Sequence, residues 1–172
     1  MAVKDHSESA ARDIGAARCH VLTISDSRKP STDESGDAAS KLLEAAGHTV
    51  AKRRIVENDF SKIVVAVKAS IVEGADLVLA VGGTGVSSRD VTVEAARSVI
   101  EKELPGFGEL FRALSVKEIG TAAILSRATL GTTRERSLVA VTPGSPAAVR
   151  LALQEILIPQ LKHLLREARK TS

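Results

Sequence analysis

DLVLAVGGTGVSSRDVTVEA, residues 76–95, decides the fold. Its opening, DLVLAV (76–81), is a short apolar run between breakers, the pattern of a central strand buried on both faces. Three glycines in four residues follow, then two serines and an Arg-Asp pair, then residues at helical spacing. Strand, glycine loop and helix in that order make one unit of a parallel sheet. Glycines let the backbone approach a ligand closely and turn its N–H groups toward phosphate oxygens. They also make plain turns, and the stretch by itself leaves both readings open.

Working outward, CHVLTIS (19–25) predicts a first strand, rich in β-branched and apolar residues. Alanines and leucines at helical spacing predict a helix from Asp37 to Ala46, stopped by Gly47. HTVAKRRIV (48–56) predicts a second strand, and Asp59 or Ser61 caps a helix that runs to Glu73. Residues 92–103 predict another helix, broken before Pro105. PGFGELFRALSVKEIG (105–120) combines a glycine turn with a short amphipathic helix, and TAAILSRATLG (121–131) runs from a helical turn into a short strand. SLVAV (137–141) is the last strand, and Ala147 to Ala168 form the closing helix, kinked or broken at Pro159. The alternation implies an α/β protein of three layers, a mostly parallel sheet with helices on both faces. Residues 1–17 read as a loose arm and 18–172 as a single domain.

The chain of 172 residues suits one domain with a sizeable core. Three Phe and no Tyr or Trp leave no stacking platform for single-stranded nucleic acid, and no nucleic-acid partner is expected. The formal charge of +3 comes from scattered Lys and Arg; the densest basic tract, Lys162 to Lys170, also holds Glu167 and reads as a solvated helix end. Cys19 is the only cysteine, which excludes an intrachain disulfide and a cysteine-based zinc cluster. His6, His20, His48 and His163 show no ligand spacing. No stretch reaches membrane-spanning length, and the acidic N-terminus does not resemble a secretory signal, so a cytoplasmic location is expected.

An open α/β sheet binds ligands outside the carboxyl ends of its strands. Three polar loops fall at that edge: SDSR (25–28), which carries Ser25 and Asp26, then GGTGVSSRD (82–90) and TPGSP (142–146). GGTGVS is neither the dinucleotide fingerprint nor a P-loop. Thr84, Ser87 and Ser88 offer hydroxyl donors to an anion. Asp90 beside a phosphate cradle repels the ligand unless a cation lies between them, a place for Mg²⁺; the alternative is an ordinary helix cap. Arg89 is a phosphate clamp or a solvated surface charge. Asp26 is a second carboxylate or a turn residue, and Glu57 and Asp59 face the same choice. No Ser-His-Asp or Cys-His arrangement is present, so chemistry here rests on positioning and charge, as in direct phosphoryl or nucleotidyl transfer.

LTISDSR (22–28), AVGGTGVSSRDVTVEA (80–95), PGFGELFR (105–112), IGTAAILSRATLG (119–131) and VTPGSPAAV (141–149) together resemble the MoaB/MogA family of molybdenum cofactor biosynthesis, nearer the MoaB branch. The resemblance covers roughly residues 19–165. It implies a MogA-like molybdopterin-binding fold, usually a trimer or a hexamer of two trimers. It also implies binding of Mg-ATP and molybdopterin together, with AMP transferred to the molybdopterin terminal phosphate and the product handed to a molybdate-insertion enzyme. On the same resemblance, Asp90 serves catalysis and the Mg-nucleotide, and Gly82, Gly83, Thr84 and Gly85 form a ligand loop. Asp26 matches the first-strand motif, Pro143, Gly144 and Ser145 contact pterin or nucleotide, and Glu109 holds a pterin amino group or is simply solvated. Active members of this kind carry Pro-Asp after the second strand. Here Asn58 stands on that aspartate, with Asp59 one residue later. That departure opens a second expectation, a binding-only oligomer that stores or delivers the intermediate.

Overall fold

The computed structural model describes residues 14–170. Six strands form one sheet: β1 (Arg18–Ile24), β2 (Thr49–Val56), β3 (Leu77–Val81), β4 (Lys102–Glu103), β5 (Thr129–Thr132) and β6 (Leu138–Thr142), in spatial order β2-β1-β3-β6-β5-β4. The pairings β1–β2, β1–β3 and β3–β6 are parallel. The two edge pairings, β4–β5 and β5–β6, are antiparallel. The mostly parallel sheet is therefore as expected, with an antiparallel hairpin closing one side.

The helices are α1 (Glu34–Ala45), α2 (Phe60–Val72), α3 (Thr92–Arg97), α4 (Pro105–Ile119), α5 (Pro146–Leu151) and α6 (Ile158–Arg169). Because strand side chains alternate between faces, Cys19 and Val21 of β1, Leu77 and Leu79 of β3, and Leu138 and Ala140 of β6 point one way. They meet Leu43 of α1, Phe111 of α4, Val149 of α5 and Leu161 and Leu165 of α6. Leu22, Val78, Ala80, Val139 and Val141 point the other way, onto Ile63 and Val67 of α2 and Ala95 and Ala96 of α3. These are the three layers.

Three local expectations change. Helix α3 ends at Arg97, and Lys102–Glu103 pair with β5. The helical propensity of residues 98–103 loses to tertiary pairing: Arg97 holds the Glu103 carboxylate, Thr129 donates to it, and Ile100 packs into the space left by Gly131. The segment from Pro105 is one 15-residue helix rather than a glycine turn and a short helix. Pro105 enters at its first turn, where its missing N–H costs nothing, and Gly108 lets the helix approach the Ala128 carbonyl, which a Cβ would meet at 2.6 Å. The closing helix is not broken at Pro159 but runs on continuously to Arg169, widened just before the proline by a π-helical turn, Ala152–Leu157, after which Ile158 N–H donates five residues back to Leu153. Of the expected arm, residues 1–13 lie outside the described residues. Its last residues belong to the domain: Ile14 packs on the core, and buried Ala17 donates its N–H to His48 Nδ1 at 3.1 Å.

His20 of β1 is fully buried, neither ring nitrogen has a hydrogen-bond partner, and Glu73 is its nearest carboxylate at 3.7 Å. Burial holds its pKa below the ordinary 6.5, with Glu73 pulling upward and Arg18, Lys52 and Arg54 downward. His48 is lowered as well, first by burial and then by Lys162. The unfolded chain thus takes up protons that the native state refuses, so stability falls as pH drops below 6.5. Melting temperatures measured from pH 7.5 down to about 5 should decline, and less steeply in His20→Leu; a flat profile contradicts the assignment.

Candidate functional site

Strand order makes the site. β1 has β2 on one side and β3 on the other, so the chain reverses direction across the sheet between β1 and β3. Ligand crevices of open sheets open at such points, past the carboxyl ends of the strands. The loops that follow β1, β3 and β6 meet there, and a cleft of about 450 Å³ is lined by Thr23, Ile24, Arg28, Val81, Gly82, Gly83, Thr84, Gly85, Asp90, Gly144 and Ser145. A larger cavity of about 660 Å³ involves Lys68, Ile100 and Arg134. It lies beyond the C-terminal end of α2, away from the glycine loops, and holds none of the expected site residues.

The glycines set how closely the loops pack. Gly82 has φ +101°, and a Cβ there would stand 2.7 Å from the Ile24 carbonyl oxygen. Its N–H donates to the Thr142 carbonyl at 3.0 Å, and Gly144 packs directly against it. Backbone rather than side chain therefore forms much of the wall. Ser145 Oγ caps α5 by accepting from Ala148 N–H, with Pro146 at the first turn.

Asp90 is not a helix cap; Val91 holds that position at α3 without a side-chain bond. The Asp90 carboxylate accepts from Ser87 Oγ at 2.7 Å and presses on Gly85, where a Cβ would lie 2.6 Å from Oδ2. Among the residues lining the cleft it is the one carboxylate. Among the described residues no group of three or more His, Cys, Asp or Glu side chains is gathered to hold a metal. The donor set instead fits an ion such as Mg²⁺ that keeps one or two protein carboxylates and takes phosphate oxygens for the rest. Two buried polar atoms without partners, Asn58 Oδ1 and Thr92 Oγ1, crowd Gly83 at the base of the same loop.

The other expected residues have different places. Asp26 ties three loops: Oδ1 accepts from Asn58 N–H at 2.8 Å and Oδ2 from Arg89 Nη2 at 3.0 Å. Ser25 Oγ accepts from the N–H groups of Ser27 and Arg28. Arg89 is thereby paired and largely exposed, and it lies outside the cleft lining; Ser88, exposed, and Pro143, half-buried, lie outside that lining too. Asp59 caps α2 by accepting from Lys62 N–H at 2.9 Å. Glu109 lies exposed on α4 and is not brought to the cleft.

Two arginines that the loop motifs did not single out matter more. Arg127, just before β5, donates Nε to the Thr84 carbonyl at 3.0 Å and Nη2 to the Asp90 carbonyl at 2.8 Å, and it pairs with Glu94. One guanidinium thus fixes both ends of the 84–90 loop. Burial is the largest single influence and works to raise the Glu94 carboxyl, but Arg127, a backbone hydrogen bond and Arg97 together leave Glu94 below the usual range. Arg28 reaches into the cleft from the loop after β1. Both lie inside recognisable stretches, SDSR and SRATLG, but their roles depend on partners far away in sequence.

Fold and site define a class: a three-layer α/β protein whose glycine loops, past the ends of β1, β3 and β6, form a cleft suited to a phosphate-bearing ligand. Comparison with known proteins gives the family. The model described as "Probable molybdopterin binding domain" matches residues 20–163. Molybdenum cofactor biosynthesis protein B of Bacillus subtilis (strain 168) is 46% identical over 172 residues, covering 99% of each chain. A crystal structure of molybdenum cofactor biosynthesis protein B has TM-score 0.87 at 46% identity, covering 91% of this chain and 98% of that one. The tungsten cofactor synthesizing protein MoaB from Pyrococcus furiosus has TM-score 0.83 at 35% identity, covering 90% and 98%. The chain belongs to the MoaB/MogA family of molybdenum cofactor biosynthesis proteins. Among the described residues no helix is long and apolar enough to cross a membrane.

Proposed function

We propose that the chain transfers AMP from Mg-ATP to the terminal phosphate of molybdopterin. The observation that carries this reading is the cleft itself, walled by glycine backbone and facing a single carboxylate, Asp90. A phosphate oxygen of molybdopterin attacks the α-phosphorus of ATP, the bond to the β-phosphate oxygen breaks, and pyrophosphate leaves. No covalent side-chain nucleophile is needed; the loops hold two phosphate-bearing ligands in line. Asp90 is the group that would hold Mg²⁺, which supplies charge neutralisation and polarisation of the phosphoryl centre when bound. The adenylylated product would pass to a molybdate-insertion enzyme, and use of ATP suits a cytoplasmic setting.

A second reading is favoured by the segment after β2. Asn58 replaces the expected aspartate, its side-chain oxygen is packed against Gly83, and Asp59 is engaged as a helix cap. Neither presents a carboxylate to the cleft, which fits a binding-only member that stores or delivers molybdopterin. Pyrophosphate release from ATP, measured with and without molybdopterin, separates the two. Release that requires molybdopterin supports transfer, whereas tight molybdopterin binding without release supports the second reading.

A homo-oligomer, a trimer or a hexamer, accompanies either reading. Val116 and Ile119 of α4 and Ile124 and Leu125 just after it are at least half exposed. Grouped apolar exposure of this kind marks an interaction surface. A solution mass equal to one chain at micromolar concentration would overturn the oligomer.

A further inference from the structure

We propose that Arg28 is the cationic clamp for the phosphate group that enters this cleft, an inference that rests on the cleft being the ligand site of the proposed function. The candidate first suggested by the motif is Arg89. In the structure, however, Arg89 pairs with Asp26 at 3.0 Å, its side chain is 78% exposed, and it does not line the cleft. Arg127 is held by two carbonyls and Glu94. Arg28 is the one cationic side chain among the lining residues.

Its own partners hold it in place without saturating it. The Arg28 N–H is bound by Ser25 Oγ at 3.1 Å, so the side chain leaves from a fixed turn. The guanidinium donates to Ser35 Oγ at 3.3 Å and to the Gly144 carbonyl at 3.5 Å, both beyond the ordinary N–H···O range. The nearest carboxylate, Asp33, stands 3.9 Å away. Asp33 is already engaged by Thr23 Oγ1, the Gly36 N–H and Arg53, so it does not close on Arg28. A planar fork of five donors, two of them in long bonds, keeps donors for a bidentate partner, and a phosphate matches that geometry. Glycine backbone at Gly82, Gly83 and Gly144 in the same lining leaves room for the phosphate to approach.

Isothermal titration at fixed ionic strength tests the clamp, with pyrophosphate, Mg-ATP and molybdopterin as separate probes. Arg28→Gln should weaken at least one probe by about ten- to a hundredfold, the range for a lost charge-assisted hydrogen bond. Arg28→Lys keeps the charge without the fork and should fall between wild type and Arg28→Gln; it decides the matter if Arg28→Gln does not fold. Lys29→Gln removes the neighbouring charge and should change affinity by less than about threefold. Selective loss toward pyrophosphate and ATP assigns the clamp to the nucleotide; selective loss toward molybdopterin assigns it to the pterin phosphate. The clamp is wrong if Arg28→Gln matches wild type for all probes, if Lys29→Gln costs as much, or if the wild type binds none of them. Failure of adenylyl transfer is distinguishable: pyrophosphate release would be absent while Arg28-dependent binding persists.

Discussion

Asp90→Asn should lower molybdopterin-dependent pyrophosphate release by on the order of a hundredfold or more, the scale of charge stabilisation that a carboxylate-held cation supplies. Asparagine keeps the side-chain length and an oxygen able to accept from Ser87 Oγ, the bond that now holds Asp90 at 2.7 Å. It removes the negative charge that a cation needs. Fold and loop should therefore survive, with a change in stability within about 0.5 kcal/mol. Molybdopterin binding measured without nucleotide should persist, because the glycine wall and Ser145 are unaltered. This split matters because a structural role for Asp90 would move stability and binding together with rate. Unchanged release in Asp90→Asn, with the wild type active, would remove Asp90 from the mechanism and leave the cleft without a carboxylate to hold the ion.

How much of this was legible in the sequence depends on how far each feature reaches. β3 could be read from its own residues because burial on both faces leaves an uninterrupted apolar run, and all five positions of Leu77–Val81 are buried. The three glycine- or serine-bearing loops were likewise local. Strand order was not, since nothing in DLVLAV says that it lies between β1 and β6. β4 was hidden because its two residues become a strand only by pairing with β5 some 30 residues on. The arginines show the same limit. Arg89 stands beside Asp90 and invited a role, yet its partner is Asp26, 63 residues away. Arg28 meets the Gly144 carbonyl across 116 residues, and Arg127 meets the Asp90 carbonyl across 37. Composition and spacing carry no record of such pairings; the assembled sheet creates them.

Gly82→Ala should cost roughly 3 kcal/mol or more of stability. A φ of +101° lies where side chains are rarely tolerated, and such backbone strain costs about 1–3 kcal/mol. Steric overlap adds to it: the new Cβ would stand 2.7 Å from the carbonyl oxygen of Ile24, at the end of a buried central strand that cannot swing aside as a long side chain can. Crowding of this kind in packed interiors costs roughly another 1–3 kcal/mol. For a chain of this length a loss of about 3 kcal/mol corresponds to a fall in melting temperature of about 6–12 °C. Gly106→Ala is the matched comparison, because nothing lies within 4 Å of its added Cβ and its φ is not positive. It should leave the melting temperature unchanged or raise it slightly. If Gly82→Ala melts within about 2 °C of wild type, the close contact among β1, β3 and the loop after β6 is looser than the geometry requires. A folded variant that relieves the overlap by parting β1 from β3 must also draw Gly82 away from Gly144 and the Thr142 carbonyl. Ligand affinity and stability should then fall together, because the contact that closes the sheet edge also forms the wall of the cleft.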